Sequence, residues 1–230
     1  MKKKLIAALC TLAVSVGLLS GCSLGAESDA GRETSAQEET AGGAAEENTQ
    51  KEEVVVTMPA TSEPESGFDP AFGWGAGEHV HEPLIQSTLT VTTQDLQMDK
   101  DLATDYSVSE DGMTWTVTIR DDVKFTDGEP LTARDVAFTY NNCKEKSSVN
   151  DFTMLEEAVA VDDTTVEFHM TRPYSIWPYT MAIVGIVPEH AYDENYGQNP
   201  IGSGRYIMKQ WDKGQQMIFE ANPDYYGEEP

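Results

Sequence analysis

The sequence predicts a mixed α/β (α+β) domain, because strand-like and helix-like segments follow one another along the chain. Residues 113–120 alternate between apolar and polar side chains, as in a strand with one buried face. The segment that follows has the apolar spacing of a helix. Two further pairs of short segments, 158–161 with 165–170 and 205–211 with 215–221, flank polar turns and predict hairpins.

The helix prediction depends on its start signals. Asp127-Gly128 supplies a residue pair that tolerates positive φ in a tight turn. Thr132 and Asp135 then have the spacing of a capping box, with Asp in place of the usual Glu or Gln. The apolar residues after this box fall on one helical stripe: Val136, Ala137, Tyr140 and Cys143.

The first part of the domain is predicted in less detail. Residues 54–58 indicate a short buried strand that Pro59 ends. The loop from Ser62 to Gly77 is rich in Gly and Pro, and a helix is expected to run from its end toward Thr88. The polar stretch from Gln94 to Asp105 carries no predicted element.

The N-terminus has the features of a secretion signal. Three lysines at positions 2–4 precede an almost wholly apolar segment, 5–19, which is shorter than the roughly 20 residues of a spanning helix. Leu19-Ser20-Gly21-Cys22 resembles a lipobox, which implies removal of residues 1–21 and transfer of diacylglycerol to the Cys22 thiol. The alternative is a plain signal peptide with an incidental cysteine.

The residues after Cys22 predict a tether. Residues 22–53 are rich in Glu, Ala, Gly, Ser and Thr and contain no aromatic residue, so they cannot bury enough apolar surface to fold. Their negative charge favours an extended chain. We therefore expect residues 54–230 to be a domain held by lipid at the outer face of the cell membrane, or in the periplasm of a cell with two membranes.

Charge and cysteine content exclude some functions. The formal net charge is −25, which argues against a nucleic-acid partner because a phosphate backbone requires a basic surface. Cys10 would leave with the signal and Cys22 would carry lipid, so no internal disulfide is expected. Cys143 lies on the predicted buried stripe and is expected to be a small core residue.

Several segments resemble one protein family. The order of strand, turn and capped helix over Glu110–Tyr140 is similar to that of the family 5 extracellular solute-binding proteins of ABC importers, which include dipeptide, oligopeptide and nickel-complex binders. Two more matches are Pro200–Gly204 and Asn222–Tyr225, and Glu82–Ile85 is similar to an early segment of the family. Arg205 stands where many members carry proline.

The resemblance covers most of residues 54–230 and implies a class II periplasmic-binding-protein-like lobe, incomplete at its C-terminus. It also implies the capture of a small solute, with a dipeptide or oligopeptide as the best substrate, and its delivery to ABC permease subunits. No cofactor is expected. Two alternatives remain: a binding component for nickel or a metal chelate, and a surface sensor or adhesin without transport.

The loop at residues 72–77 is the first candidate for ligand contact. Its members Trp74, Gly75 and Ala76 combine a flat apolar ring with exposed backbone, and the resemblance implies backbone pairing with a bound peptide. In the alternative, Trp74 packs into the lobe. Trp177, with Tyr179 beside it, is the second candidate, although an aromatic residue near two prolines is as often part of a core. Phe152 is a weaker candidate.

Metal binding and catalysis are not predicted. His79 and His81 are two residues apart, so on a helix their imidazoles would point to different faces. The segment Tyr174–Tyr179 is predicted to be an aromatic loop that Pro173 and Pro178 interrupt. The nickel-complex binders use an arginine soon after this loop, and this chain has none between Arg172 and Arg205. Gly202-Ser203 lacks the surroundings of a nucleophile elbow. The paired carboxylates Asp162-Asp163 fall in a predicted turn, where carboxylates are usually solvated.

Overall fold

The computed structural model describes residues 53–57, 64, 66–73, 84–147 and 149–228. These residues belong to one compact unit, Asn48–Pro230. In chain order the strands and helices are β1 Glu53–Thr57, β2 Thr90–Thr92, β3 Met98–Lys100, β4 Ala103–Val108, β5 Thr114–Ile119, α1 Ala133–Lys146, β6 Leu155–Ala160, β7 Thr165–Met170, α2 Trp177–Met181, β8 Tyr206–Asp212 and β9 Gln216–Ala221. Short 3-10 turns lie at Glu189–Ala191 and Tyr196–Gln198.

Within the described residues the strands form three antiparallel sheets. The largest has the order β4-β5-β7-β6, the second has the order β1-β9-β8, and β2 pairs with β3. Helix α1 packs on β6 and β7 of the largest sheet. The mixed α/β class that the sequence predicts is therefore confirmed.

Strand β5 has the alternation predicted from its sequence. Trp115, Val117 and Ile119 are 7%, 0% and 3% exposed, and the threonines between them face outward. Trp115 lies opposite Phe168 of β7, so the buried faces of the two strands coincide. The predicted β6–β7 hairpin is also confirmed, and its turn is closed by a hydrogen bond from the Val161 N–H to the Thr165 carbonyl at 2.8 Å.

Helix α1 begins at the predicted capping box. The Thr132 side chain accepts hydrogen bonds from the first turn, and Asp135 Oδ2 accepts the Thr132 N–H at 2.9 Å. The other carboxylate oxygen, Oδ1, accepts the N–H of Glu189 at 3.0 Å. Asp135 is only 7% exposed, so one buried carboxylate both caps the helix and holds a segment more than fifty residues away.

The predicted stripe of α1 faces the core. Its four apolar residues are at most 8% exposed, and the Tyr140 and Phe168 ring centres are 4.7 Å apart. Burial raises the pKa of the Cys143 thiol to about 12. A thiol with this pKa stays neutral and unreactive at physiological pH. Cys143 is therefore a core residue, as predicted.

The two remaining turns also agree with the sequence. Gly128 adopts a φ of +94°, and its N–H donates to the Phe125 carbonyl at 2.9 Å. The predicted β8–β9 hairpin is present, and β9 pairs with β1 on its other side. The opening strand was expected to be buried, but Val55 is 53% exposed. That expectation is wrong at Val55, because β1 is an edge strand of its sheet.

Three differences from the sequence predictions concern polar or proline-containing segments. Strands β2, β3 and β4 lie in or near the polar stretch for which no element was predicted. They were missed because backbone pairing rather than side-chain burial forms them. Residues 84–86 form a bend where a helix was expected. Trp177–Met181 is a short helix rather than a loop, and Pro178 lies in its first turn, where a missing N–H breaks no helical hydrogen bond.

Replacing Asp135 with alanine tests the double role of its carboxylate. We expect Asp135→Ala to lower the free energy of unfolding by about 2–3 kcal/mol, since it removes the cap and leaves the Glu189 N–H without its acceptor. Urea denaturation measures this. Asp151→Ala is the control, because Asp151 is an exposed carboxylate that accepts a single backbone N–H, from Thr153. An effect no larger than that of the control would contradict the double role.

Candidate functional site

The candidate site is built around residues 84–88, which we call the central segment. On one side the N–H groups of Gly204 and Tyr206 donate to the carbonyls of Ile85 and Leu84 at 2.7 and 2.9 Å. On the other side the Ile186 N–H donates to the Ser87 carbonyl at 2.9 Å. The central segment thus bonds to chain on both sides although it belongs to no named strand.

This arrangement explains the glycines of the Pro200–Gly204 motif. A Cβ at Gly202 would lie 2.0 Å from the Ile85 carbonyl oxygen, and a Cβ at Gly204 would lie 2.7 Å from the same group. On the opposite side, a Cβ at Gly185 would lie 2.7 Å from the Gln86 Cβ. Only glycine allows the backbones to approach this closely.

A second stretch of chain, residues 66–73, is held against the site, and we call it the strap. Its Phe68 N–H donates to the Gly197 carbonyl at 2.8 Å. Gly67 has a φ of +73°, and a Cβ there would lie 1.9 Å from the Gly197 oxygen. A Cβ on Gly197 would in turn lie 2.3 Å from the Ser66 oxygen. Two glycines therefore permit backbone contact between segments distant in sequence.

Asp69 organises the rest of the strap. It is 5% exposed, and its Oδ1 accepts the Ala71 N–H at 2.9 Å while its Oδ2 accepts the Tyr192 hydroxyl at 2.7 Å. The Asp69 carbonyl accepts the N–H groups of Phe72 and Gly73 at 3.0 and 2.6 Å. Burial, together with this carboxylate, raises the pKa of Tyr192, so its hydroxyl remains a donor.

Gln86 joins the strap to the central segment. Its Nε2 donates to the Phe68 carbonyl at 2.8 Å and contacts the Tyr196 hydroxyl at 3.2 Å. Tyr196 donates its own hydroxyl to the Ile201 carbonyl at 2.7 Å. Burial raises the pKa of Tyr196 far above the usual value for tyrosine. The Tyr196 hydroxyl therefore stays protonated and remains a donor at neutral pH.

The Asn222–Tyr225 motif is attached to the same region. Asn222 donates its side-chain N–H to the Gly204 carbonyl at 2.8 Å, and its backbone N–H donates to the Arg205 carbonyl at 2.7 Å. Tyr226 donates its hydroxyl to Asp101 Oδ1 at 2.6 Å. A cavity of about 110 Å³ lies here, lined by Gln86, Ser87, Val91, Lys100, Asp101, Gly204, Arg205 and Tyr225.

Arg205, the residue that stands where many members of the resembled family carry proline, fits this surface. Its guanidinium carbon lies 5.0 Å from the centre of the Tyr225 ring, a distance typical of a cation–π contact. Its carbonyl accepts the Asn222 N–H, a bond that a proline at this position would also permit.

The chain is similar to known proteins in both sequence and structure. Residues 97–230 match the model of the bacterial extracellular solute-binding proteins, family 5 Middle, which is more than half of the chain. The chain belongs to this family. Its members are substrate-binding proteins of transport systems.

Individual relatives support the assignment. Protein XP55 of Streptomyces lividans is 35% identical over 187 residues, which cover 76% of this chain and 33% of the relative. The structure of NikZ from Campylobacter jejuni in complex with Ni(L-His) has a TM-score of 0.65 and 28% identity, and the match covers 73% of this chain and 36% of NikZ. For AppA from Bacillus subtilis in complex with a nonapeptide, the TM-score is 0.62 and the identity 27%, with 72% and 36% covered.

The chain spans about a third of the length of the curated relatives that it matches. The solved structures of the family 5 fold that resemble it are periplasmic binding proteins, so the predicted fold class is confirmed for the part compared. In the described part of this family 5 chain, no helix has the length and apolar character to cross a bilayer.

Most of the predicted functional residues lie outside the described part of the chain. These are Cys22, Trp74, Gly75 and Ala76, and the two histidines for which a metal site was not predicted, His79 and His81, also lie outside it. Of the predicted ligand loop the structure describes Phe72 and Gly73, at the end of the strap. The Phe72 side chain is 41% exposed although it is large and apolar.

Trp177 is described and lies in the core. It is 1% exposed, and its ring centre is 5.6 Å from that of Tyr140 and 5.2 Å from that of Phe168. The ring therefore has the core position that the sequence left open as the alternative to ligand contact. Phe152 is likewise buried, 4% exposed and 6.4 Å from Tyr140, whereas Tyr179 is 50% exposed.

The sequence did not single out Asp69, Gln86, Asp101 or Tyr192. Their partners are 18 to 125 residues away, so no local pattern connects them. The available signal was composition: an aspartate between Phe68 and Pro70, close to Gly67, is typical of a fixed turn. Among the described residues, no group of three or more His, Cys, Asp or Glu is arranged to hold a metal ion.

Alanine substitutions at two glycines distinguish the cost of a close contact from the cost of a positive φ. We expect Gly202→Ala to lower the free energy of unfolding by about 2–4 kcal/mol, because its Cβ would meet the Ile85 carbonyl. Gly128→Ala is the matched control: it has open space around its Cβ but a φ of +94°, so the cost is about 1–2 kcal/mol. Urea denaturation of both variants measures the two losses in the free energy of unfolding and shows which is larger. A smaller effect at Gly202 would contradict the close contact.

The pKa of Asp101 leads to a prediction on pH. Burial raises this pKa, so the contribution of Asp101 to stability is complete below the unfolded pKa, about 3.9, and is lost as the pH rises through the folded pKa. Asp101→Asn should therefore gain stability relative to the wild type as the pH rises from about 3.5 to about 6.5. Denaturation at several pH values measures this.

Asp122 is the control of opposite sign. The hydrogen bond from Arg120 lowers the pKa of Asp122, so its contribution is present above the unfolded pKa and is lost as the pH falls through the folded pKa. Asp122→Asn should therefore lose stability relative to the wild type over the same rise in pH. The same trend in both variants would contradict the assigned causes.

Proposed function

We propose that this protein is the substrate-binding lipoprotein of an ABC importer, and that it captures a dipeptide or oligopeptide outside the cell. The observation that carries the proposal is the family match over residues 97–230, together with a fold similar to that of a nonapeptide-bound relative. The relatives are longer than this chain, so a ligand cleft between two lobes is part of the proposal. Lobe closure around the peptide would then present it to a permease.

The proposed ligand contacts are Trp74, Gly75 and Ala76. They follow directly on the strap, whose last residues are fixed by Asp69. Glycine leaves backbone N–H and C=O groups open, so a peptide can add to this segment as a strand and be bound with little regard to its side chains. Trp177 is not among the proposed contacts, because its ring is enclosed by the core.

The proposed location is the outer face of the cell membrane. A lipid on Cys22 would hold the protein there, and the acidic residues 23–53 would separate the domain from the surface. The permease subunits in the same membrane are the proposed protein partners. This arrangement keeps captured solute close to the transporter.

A metal chelate is the second candidate ligand. The similarity to NikZ bound to Ni(L-His) is as strong as the similarity to peptide-bound AppA. We favour peptides because the glycine-rich sequence from Gly73 to Gly77 suits backbone pairing with a strand. A chelate would instead need side chains that recognise its charge.

Thermal unfolding of the full-length protein distinguishes the two ligands. A set of di- to nonapeptides is compared with nickel plus L-histidine. At about 100 times its dissociation constant, a ligand should stabilise the protein by about 2.7 kcal/mol, which raises the melting temperature by several degrees. We expect this rise with peptides.

Two variants accompany the measurement. Trp74→Ala should remove the peptide-dependent rise, whereas Val161→Ala, which truncates an exposed side chain in the β6–β7 turn, should keep it. A rise with nickel and histidine but with no peptide would overturn the peptide assignment in favour of the chelate.

A further inference from the structure

We propose that Asp69 and Tyr192 act as a positioning pair: their hydrogen bond fixes the path of the strap as far as Gly73, after which the proposed ligand contacts follow in the sequence. The inference rests on the proposed function in so far as the residues after Gly73 contact the ligand. The pair itself lies wholly within described residues. It joins segments 123 residues apart at an oxygen–oxygen distance of 2.7 Å.

The Asp69 side of the pair defines the shape of the strap. The carboxylate accepts the Ala71 N–H, and the carbonyl of the same residue accepts the N–H groups of Phe72 and Gly73. Ala71 is 0% exposed, so its methyl group anchors the turn in the core. One residue thus receives three successive N–H groups and sets the path of residues 70–73.

The Tyr192 side connects this turn to helix α1. The Tyr192 ring centre is 5.3 Å from that of Phe138, and the Lys146 ammonium lies 4.8 Å from the ring centre. Asn142, between them on the helix, hydrogen-bonds the Tyr192 side chain. The ring thus contacts residues spaced by four along one face of α1, which prevents the hydroxyl from moving independently of the helix.

The pair therefore connects helix α1 to the strap, although the two are associated with different sheets. Helix α1 packs on β6 and β7, whereas the strap follows β1 in the chain, and β1 belongs to the β1-β9-β8 sheet. The Phe72 and Gly73 N–H groups are bound to Asp69, so they are not the groups that a peptide would use. What the strap offers a ligand is the exposed Phe72 ring and a fixed path of residues 70–73.

Hydrogen exchange at Ala71, Phe72 and Gly73 tests the pair without any ligand. Tyr192→Phe removes the hydroxyl and leaves the ring to pack on Phe138. We expect exchange at these three amides to become roughly tenfold faster or more, because a partly buried hydrogen bond to the Asp69 carboxylate is lost beside them. The measurement uses mass spectrometry on the full-length protein.

Tyr226→Phe is the matched control. It also removes a tyrosine hydroxyl that donates to an aspartate, here Asp101 at 2.6 Å. We expect this control to lower the melting temperature by an amount similar to that of Tyr192→Phe, but to leave exchange at residues 71–73 unchanged. Unchanged exchange in Tyr192→Phe, or equal acceleration in both variants, would overturn the positioning role.

Asp69→Ala gives a second, independent variant. Alanine has no acceptor oxygen in its side chain, so both the Ala71 N–H and the Tyr192 hydroxyl lose their partner. Exchange at Ala71 should therefore rise in this variant too. Exchange equal to that of the wild type would show that the strap does not depend on the carboxylate, and would overturn the proposal.

Binding of tetra-alanine links the pair to ligand capture. By calorimetry we expect the affinity to fall at least about threefold in Tyr192→Phe and to stay unchanged in Tyr226→Phe, since only the former loosens the strap. Equal losses in both variants would overturn the link. If the wild type does not bind tetra-alanine while exchange responds as expected, the peptide assignment fails and the positioning of the strap stands.

Discussion

The close backbone contact at the central segment is the constraint on which the rest of the site depends. The Ile85 carbonyl accepts the Gly204 N–H at 2.7 Å, and neither Gly202 nor Gly204 has room for a Cβ beside it. Once this contact forms, three other attachments become possible. Gln86 reaches the strap, Asn222 reaches the Gly204 carbonyl, and β8 starts directly after. A side chain at either glycine would separate all of these groups at once.

Two tyrosine–aspartate pairs then join distant parts of the chain in the same chemical manner. Tyr192 donates to Asp69, and Tyr226 donates to Asp101. Burial raises the pKa of both tyrosines, so neither hydroxyl ionises at physiological pH and each remains a donor. A tyrosine hydroxyl also costs less to bury than a charged side chain in the same place. Such pairs are therefore suitable for connecting distant segments in a buried region.

The sequence predicted the elements whose burial is periodic and missed those whose burial is not. Strand β5 and helix α1 present one apolar face, so their period is visible in the sequence. Strand β4 is mostly exposed and is held by backbone pairing with β5, which leaves no trace in its side chains. For the site, the family resemblance singled out the Pro200–Gly204 segment, but the sequence did not predict its contact with Ile85. Local motifs could not identify Asp69 or Gln86, because the partners of these residues are distant in sequence.

The strap of this chain takes its conformation from contacts within the protein. The hydrogen bonds of residues 66–73 reach Gly197, Gln86, Tyr192 and one another, so protein contacts set the path of this segment. Solved relatives of similar fold bind unlike ligands, a nonapeptide in AppA and Ni(L-His) in NikZ. Under the proposed function, the residues after Gly73 would contact the ligand, so a change of ligand would call for new residues there. The Asp69–Tyr192 pair would keep its role, because its hydrogen bond is made within the protein and not to the ligand.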